Sequence, residues 1–178
     1  MAVCGTVEQF YREFARWLAS HVDSRGVGAR NLRTSLHALV SATDFRSLQQ
    51  LRDPEKVFAK RMEVLERTVS AMHHALTLDS HEFGFDGESI RPRHIANLWS
   101  LFGLPGQPFE NIHQRVALSV LADNRNDYAH GNIPLHQFLQ NPECTSASLL
   151  QRIDAIEGWF FHCWATETEY FTNRGYRR

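Results

Sequence analysis

Residues 7–22 read Val-Glu-Gln-Phe-Tyr-Arg-Glu-Phe-Ala-Arg-Trp-Leu-Ala-Ser-His-Val, and their apolar members Val7, Phe10, Tyr11, Phe14, Trp17, Leu18 and Val22 recur at spacings of three and four. A strand half-buried in a sheet alternates at two, so this stripe specifies an amphipathic helix. Thr6 with Gln9 forms a capping-box pattern at its start. The same period recurs along the chain. Beyond a loop holding Asp23, Ser24, Gly26 and Gly28, Leu32, Leu36, Leu39 and Val40 predict a shorter second helix ending near Ala42. Asp53 followed by Pro54 is a helix start, and Phe58, Met62, Leu65, Val69, Met72 and Leu76 carry that helix to about Thr77. Asp79 to Ser89, with Gly84 and Gly87, reads as a surface loop. Pro92 opens a short helix with Ile95, Leu98, Trp99 and Phe102 on one face, stopped by Gly103 and Pro105. Pro108 opens another that turns Phe109, Ile112, Val116 and Val120 inward and runs toward Arg125, with Leu118 and Leu121 off that stripe. Gly131, Asn132 and Pro134 end it. A final helix from about Thr145 to Thr172 has Leu149, Ile153, Ile156, Phe160 and Cys163 inside, widened by Trp159 and Trp164. No segment alternates like a strand. The expected fold is an all-α bundle of five or six mostly antiparallel helices in one domain, 1–178, with a short basic C-terminal segment at 173–178.

Bulk properties agree. The chain has 178 residues, 43% apolar and 22% charged, which suits one domain with a core large enough to need neither disulfide nor structural metal. Cys4, Cys144 and Cys163 are odd in number and lack CxxC spacing, the usage of a reducing compartment. Glu8, Arg12, Glu13 and Arg16 interrupt what would be a secretion signal, and no apolar run has membrane-spanning length, so a cytoplasmic protein with no membrane partner is expected. Nineteen basic residues meet twenty acidic ones, so attraction to nucleic acid must come from a local patch. Only Lys56 and Lys60 are lysines; the other 17 are arginines, the better residue for two-pronged phosphate contacts.

Ten histidines invite a metal reading, but there is no HExxH, only Glu110 to His113 fits a Glu-x-x-His unit, and His73 and His74 diverge by about 100° on a helix. No metal site and no cofactor are expected, since Walker and GxGxxG loops are also lacking. Cys4, near the terminus, reads as inert. One segment is different: Asp123-Asn124-Arg125-Asn126-Asp127-Tyr128-Ala129-His130-Gly131-Asn132 is too polar for a core strip and ends in glycine where a helix should finish. Arg125 supplies a permanent cation for phosphate and His130 the side chain that exchanges protons near neutral pH. Cleavage of RNA by its own 2′-hydroxyl needs both, a proton carrier at the oxygens and a positive donor on the phosphorane, with Asn126 to position them. Gly131 at C′ would let the helix end at His130, where the dipole favours imidazolium. About one Arg-x4-His pair arises by chance in such a composition, and Arg16 to His21 is one, but requiring the flanking Asn, Ala and Gly lowers chance to the order of 10⁻⁴. The plainer reading is a helix end in which Arg125 pairs with Asp123 or Asp127 and His130 only caps.

Arg125-Asn126-Asp127-Tyr128-Ala129-His130-Gly131 resembles the RNxxAHG form of the motif carried by HEPN domains. The short helix from Ile90 to Leu104 followed by Gly-Leu-Pro, then the helix into the motif, resembles HEPN-like nucleases and their RiboL-PSP relatives over roughly Glu55 to Phe171. That resemblance implies an all-α fold, a homodimer, metal-independent endoribonuclease activity on an RNA substrate with Arg125, Asn126 and His130 in the site, and a toxin or antiphage role with an antitoxin or other regulatory partner. Some HEPN domains are silent modules that bind RNA or a partner protein, which is the alternative. Helix geometry favours the dimer too, since five residues leave Arg125 and His130 about 140° apart, a poor placement for one phosphate unless the helix unwinds or a second copy contributes. Arg174, Arg177 and Arg178 with Tyr176 read as a solvated terminus, with RNA contact as the other reading. Trp99, Trp159 and Trp164 read as core.

Overall fold

A computed structural model describes residues 2–70, 78, 89–132, 135–140 and 145–178. These are helical almost throughout: α1 (Ala2–Ser24), α2 (His37–Val40), α3 (Ala42–Gln50), α4 (Pro54–Ser70), α5 (Pro92–Phe102), α6 (Ile112–Ala129), α7 (Leu135–Gln140) and α8 (Ser146–Thr172). Two 3-10 turns, Ala29–Asn31 and Thr34–Leu36, precede α2, and no strand occurs among the described residues. The core forms where Val7, Tyr11, Leu18 and Val22 of α1 meet Ile95, Leu98, Trp99 and Phe102 of α5, Leu118 of α6, and Ile156, Trp159 and Cys163 of α8. Phe10 joins α1 to α8, its ring 5.5 Å from Trp159 edge-on and 4.1 Å from Phe160.

Helix α5 follows its sequence pattern closely. Pro92 stands in the first turn, all four expected inward residues are buried, and Gly103 ends the helix at φ 64, a left-handed conformation that glycine adopts without Cβ strain. At α4, Asp53 accepts the Glu55 N–H at 3.0 Å, the expected N-cap. The stretch 71–77, including His73, His74 and the end expected for that helix, lies outside the described residues, as does 79–88 of the expected loop. Ser89, assigned to that loop, is instead buried.

Elsewhere tertiary contacts override the local pattern. α1 begins at Ala2, so Thr6 lies inside the helix and is no cap; the earlier turn is held where the Cys4 thiol donates to the Leu121 carbonyl at 3.4 Å. The single second helix expected over Leu32 to Ala42 is instead the 3-10 turn Thr34–Leu36 and the short α2, and a further helix, α3, starts at Ala42, which raises the helix number above the five or six expected. Leu32, Leu36 and Leu39 are each buried, and Leu32 is drawn out of helical geometry by an antiparallel bridge to Arg177. The segment 173–178 therefore is not a solvated terminus. Arg33 donates its N–H to the Tyr176 carbonyl at 2.8 Å, Arg178 donates to Asn31 at 3.1 Å, and Tyr176 is buried edge-on against Tyr170.

Helix α6 starts at Ile112 and not at Pro108. Asn111 is its N-cap, accepting the Gln114 N–H at 3.1 Å, while the Gln114 side chain accepts the Glu110 N–H at 2.9 Å. Half of the expected inward stripe is turned out: Ile112 is 61% exposed and Val116 49%, while Phe109, packed against the core, and Val120 are half-buried, and Gln114, Ala117, Leu118 and Ala122 are buried. In α8 the buried stripe is Ile156, Trp159, Cys163, Thr166 and Tyr170, so Leu149 and Ile153 lie outside it and Trp164 is 65% exposed. Trp99 and Trp159 are core, Trp164 is not.

Docking of residues 173–178 makes a measurable claim. Tyr176→Ala should cost about 3 kcal/mol, the usual range for emptying a buried aromatic site, and lower the thermal midpoint. Gly175→Ala should also destabilise, because a Cβ there would overlap the Tyr170 ring. Thermal denaturation of the two variants checks both.

Candidate functional site

The polar segment sits at the C-terminal end of α6, which stays helical through Ala129. The Asn132 N–H donates to the Asp127 carbonyl at 3.0 Å, six residues closing the ring, and Gly131 has φ 66. This is a Schellman ending with His130 as the C-cap and Gly131 at C′, so the glycine does what its place in the motif requires. The helix does not unwind before the histidine. Arg125 and His130 consequently keep the angular separation of about 140° that an ideal helix gives them.

Rotation of α6 about its axis decides where each points. Arg125 follows buried Leu118 by seven residues and so projects within about 20° of the core-facing side, at the level where the core runs out. His130 follows Ile112 by eighteen residues, five full turns, and falls on the meridian of the exposed apolar stripe, with Val116 about 40° away. His130 is exposed and Arg125 half-buried.

Asn126 is engaged on the inner side. Its Oδ1 accepts from the Ser89 hydroxyl at 2.9 Å and from Arg125 Nη1 at 3.4 Å, so Asn126 bridges the guanidinium to a buried hydroxyl. The structure thus joins Arg125 with Asn126, and sets His130 about 40° from Asn126 but about 140° from Arg125 around the helix. Asp123 and Asp127, the other partners considered for Arg125, are engaged elsewhere: Asp123 accepts from Arg91 Nη1 at 2.8 Å and Asp127 from Asn132 Nδ2 at 3.4 Å. Ser89 and Arg91 are the site neighbours that sequence reasoning missed. Neither carries a local signal; they arrive because the chain enters α5 beside the end of α6.

Cys4 lies close by. Burial pushes its thiol pKa up, Glu8 adds to the rise and Arg125 opposes it. The crevice beside it, lined by Cys4, Val7, Ser89, Ile90 and Leu121 among others, holds only about 10 Å³. A recess of about 490 Å³ lies at the other end of α6, where Arg93 and Arg115 line it. Of the motif's two candidates Arg125 and His130, His130 is the one that meets solvent directly. Among the described residues no group of three or more His, Cys, Asp or Glu is placed to hold a metal ion, and no helix is long and apolar enough to cross a membrane.

Against family models, curated proteins and solved structures, the chain has no match. The assignment of a function therefore stands on the residues and their geometry.

The Cys4 environment has a chemical consequence. A raised pKa leaves less thiolate at any given pH, so alkylation of Cys4 by iodoacetamide at pH 8 should run well below the rate for an unfolded-peptide cysteine and accelerate only at higher pH. Peptide mapping of the alkylated protein against pH measures it; a fast reaction at neutral pH would contradict the burial.

Proposed function

We propose that this chain is a homodimeric, metal-independent endoribonuclease of the HEPN type. The observation that carries the reading is the end of α6: Arg125, held by Asn126, on the core-facing side, and His130, the Schellman C-cap, in line with an exposed apolar stripe. One chain presents the two groups on different sides of a helix. A second copy seated on the Ile112 and Val116 face would bring another such helix end to the same twofold axis, so that an arginine and a histidine of different origin straddle one phosphate.

The chemistry needs no water and no metal. The 2′-oxygen of a nucleotide attacks its own phosphorus, the bond from phosphorus to the 5′-oxygen breaks, and the products are a cyclic phosphate and a free 5′-hydroxyl. One proton leaves the 2′-hydroxyl and one arrives at the 5′-oxygen; His130 is the group that transfers it. Arg125 donates to the phosphorane oxygens as negative charge builds. Asn126 is a positioning residue, fixing the guanidinium through Ser89.

Purified protein incubated with single-stranded RNA in excess EDTA tests the assignment. His130→Ala should lower cleavage by about 10²- to 10⁴-fold, the range for removing a general acid or base. Arg125→Lys keeps the charge but loses the planar fork, so rate should fall with little change in RNA affinity. Mixing inactive Arg125→Ala and His130→Ala chains should restore part of the activity if the site is shared. Val116→Glu, which sets a charge on the α6 face, should break the contact there and lower cleavage with it. RNA bound but left intact by folded wild-type protein would favour a silent RNA-binding module instead.

A further inference from the structure

Helix α4 carries an apolar stripe that the described fold leaves in solvent. Phe58 is 66% exposed, Met62 44%, Leu65 58% and Val69 63%. The helix is held to the body by another side: Val57, Lys60, Val64 and Thr68 are its less exposed residues, and they centre about 125° around the axis from the bare stripe. Lone exposed apolar residues need no explanation, but four large ones in line on one helix mark a contact surface.

The spacing of the four is 4, 3, 4, that of a coiled-coil seam, with Met62 and Val69 at a and Phe58 and Leu65 at d. The sequence continues this register to Met72 and Leu76. Val69 at a with Leu65 at d is the combination that favours two parallel strands, while Met62 and Phe58 fill the remaining a and d positions without adding to that preference. Charges flanking the seam point the same way. Arg61 stands at g and Glu66 at the following e, five residues on, so in a parallel, in-register pair each arginine reaches the other chain's glutamate twice by symmetry. An antiparallel pair sets g against g and e against e, which here offers Arg61 and Thr68 on one side, Ala59 and Glu66 on the other, and no pair of opposite sign. The remaining charges of α4 are largely committed within the chain: Lys60 and Arg67 pair with Asp44 and Glu63, and Lys56 with Asp53. Arg61 and Glu66 take part in no ion pair among the described residues.

We propose that α4 is an association helix whose partner is α4 of a second copy of this chain, paired parallel and in register through Phe58, Met62, Leu65 and Val69 with Arg61 and Glu66 across the seam. Because the bare stripe and the attached side diverge by about 125°, the two bodies flank the pair without entering it. The seam is short, so association is weak and concentration-dependent. It is a different surface from the α6 face invoked for the nuclease, and does not depend on that reading. Two separate twofold contacts on one chain build assemblies larger than a dimer.

Sedimentation velocity over a range of concentrations tests it. Wild-type mass should rise with concentration, and Leu65→Glu should remove that rise whether or not Val116 is also changed. Arg61→Glu should weaken association by about tenfold or more, and adding Glu66→Arg should bring it back within about threefold, the signature of a direct pair. Circular dichroism verifies that each variant is folded. Leu65→Cys should form an intermolecular disulfide under mild oxidation that the wild-type cysteines do not. Mass indifferent to Leu65→Glu and Arg61→Glu overturns the proposal; loss of mass without Leu65→Cys cross-linking, or without rescue by the charge swap, overturns the parallel register.

Discussion

Everything about the motif depends on how α6 is rotated, and that rotation is fixed at its start. The Trp159 indole N–H donates to the Pro108 carbonyl at 3.2 Å while the ring lies buried among Phe10, Phe109 and Phe160. Asn111 and Gln114 then satisfy the first N–H groups of α6 and of the turn before it, and Gln114, though polar, is buried with its hydrogen bonds made. With the start clamped, a regular helix carries the phase to its far end about 27 Å away. A rotation of 100° at the start would exchange which of Arg125 and His130 meets solvent. Loss of Trp159 therefore threatens the site from a distance as well as the core.

The all-helical class was legible because apolar residues at 3.6-residue period dominate α1, α5 and the middle of α8. Termini were legible where one residue decides them chemically, as at Asp53, Gly103 and Gly131. What the period cannot tell is which of two apolar stripes faces in. α6 offered Ile112, Val116 and Val120 on one side and Leu118 and Leu121 on the other, and the longer series lost because small Ala117 and Ala122 allow close approach on the leucine side. The capping pattern Asn111 to Gln114 was present in the sequence and would have placed the start correctly. Thr6 with Gln9 shows the same pattern inside a helix, so such a signal needs a chain end to act on.

For the site, Arg125, Asn126, His130 and Gly131 stood out in sequence because their combination is improbable by composition. Ser89 and Arg91 did not, since their role comes from spatial neighbourhood, 37 and 32 residues from their partners Asn126 and Asp123. Residues 173–178 were misread for the same reason: nothing local shows that Tyr176 closes over Tyr170 and hands its carbonyl to Arg33. Short segments are ordered by what they meet.

The clamp at the head of α6 also imposes an order on biosynthesis. α6 leaves the ribosome before α8, and until α8 follows there is no Trp159 to seat against Pro108. During that interval the far end of α6 has only its earlier neighbours to hold it, through Cys4 on Leu121, Ser89 on Asn126 and Arg91 on Asp123. The rotation that separates Arg125 from His130 is thus clamped at the head of α6 only once the last long helix has folded back.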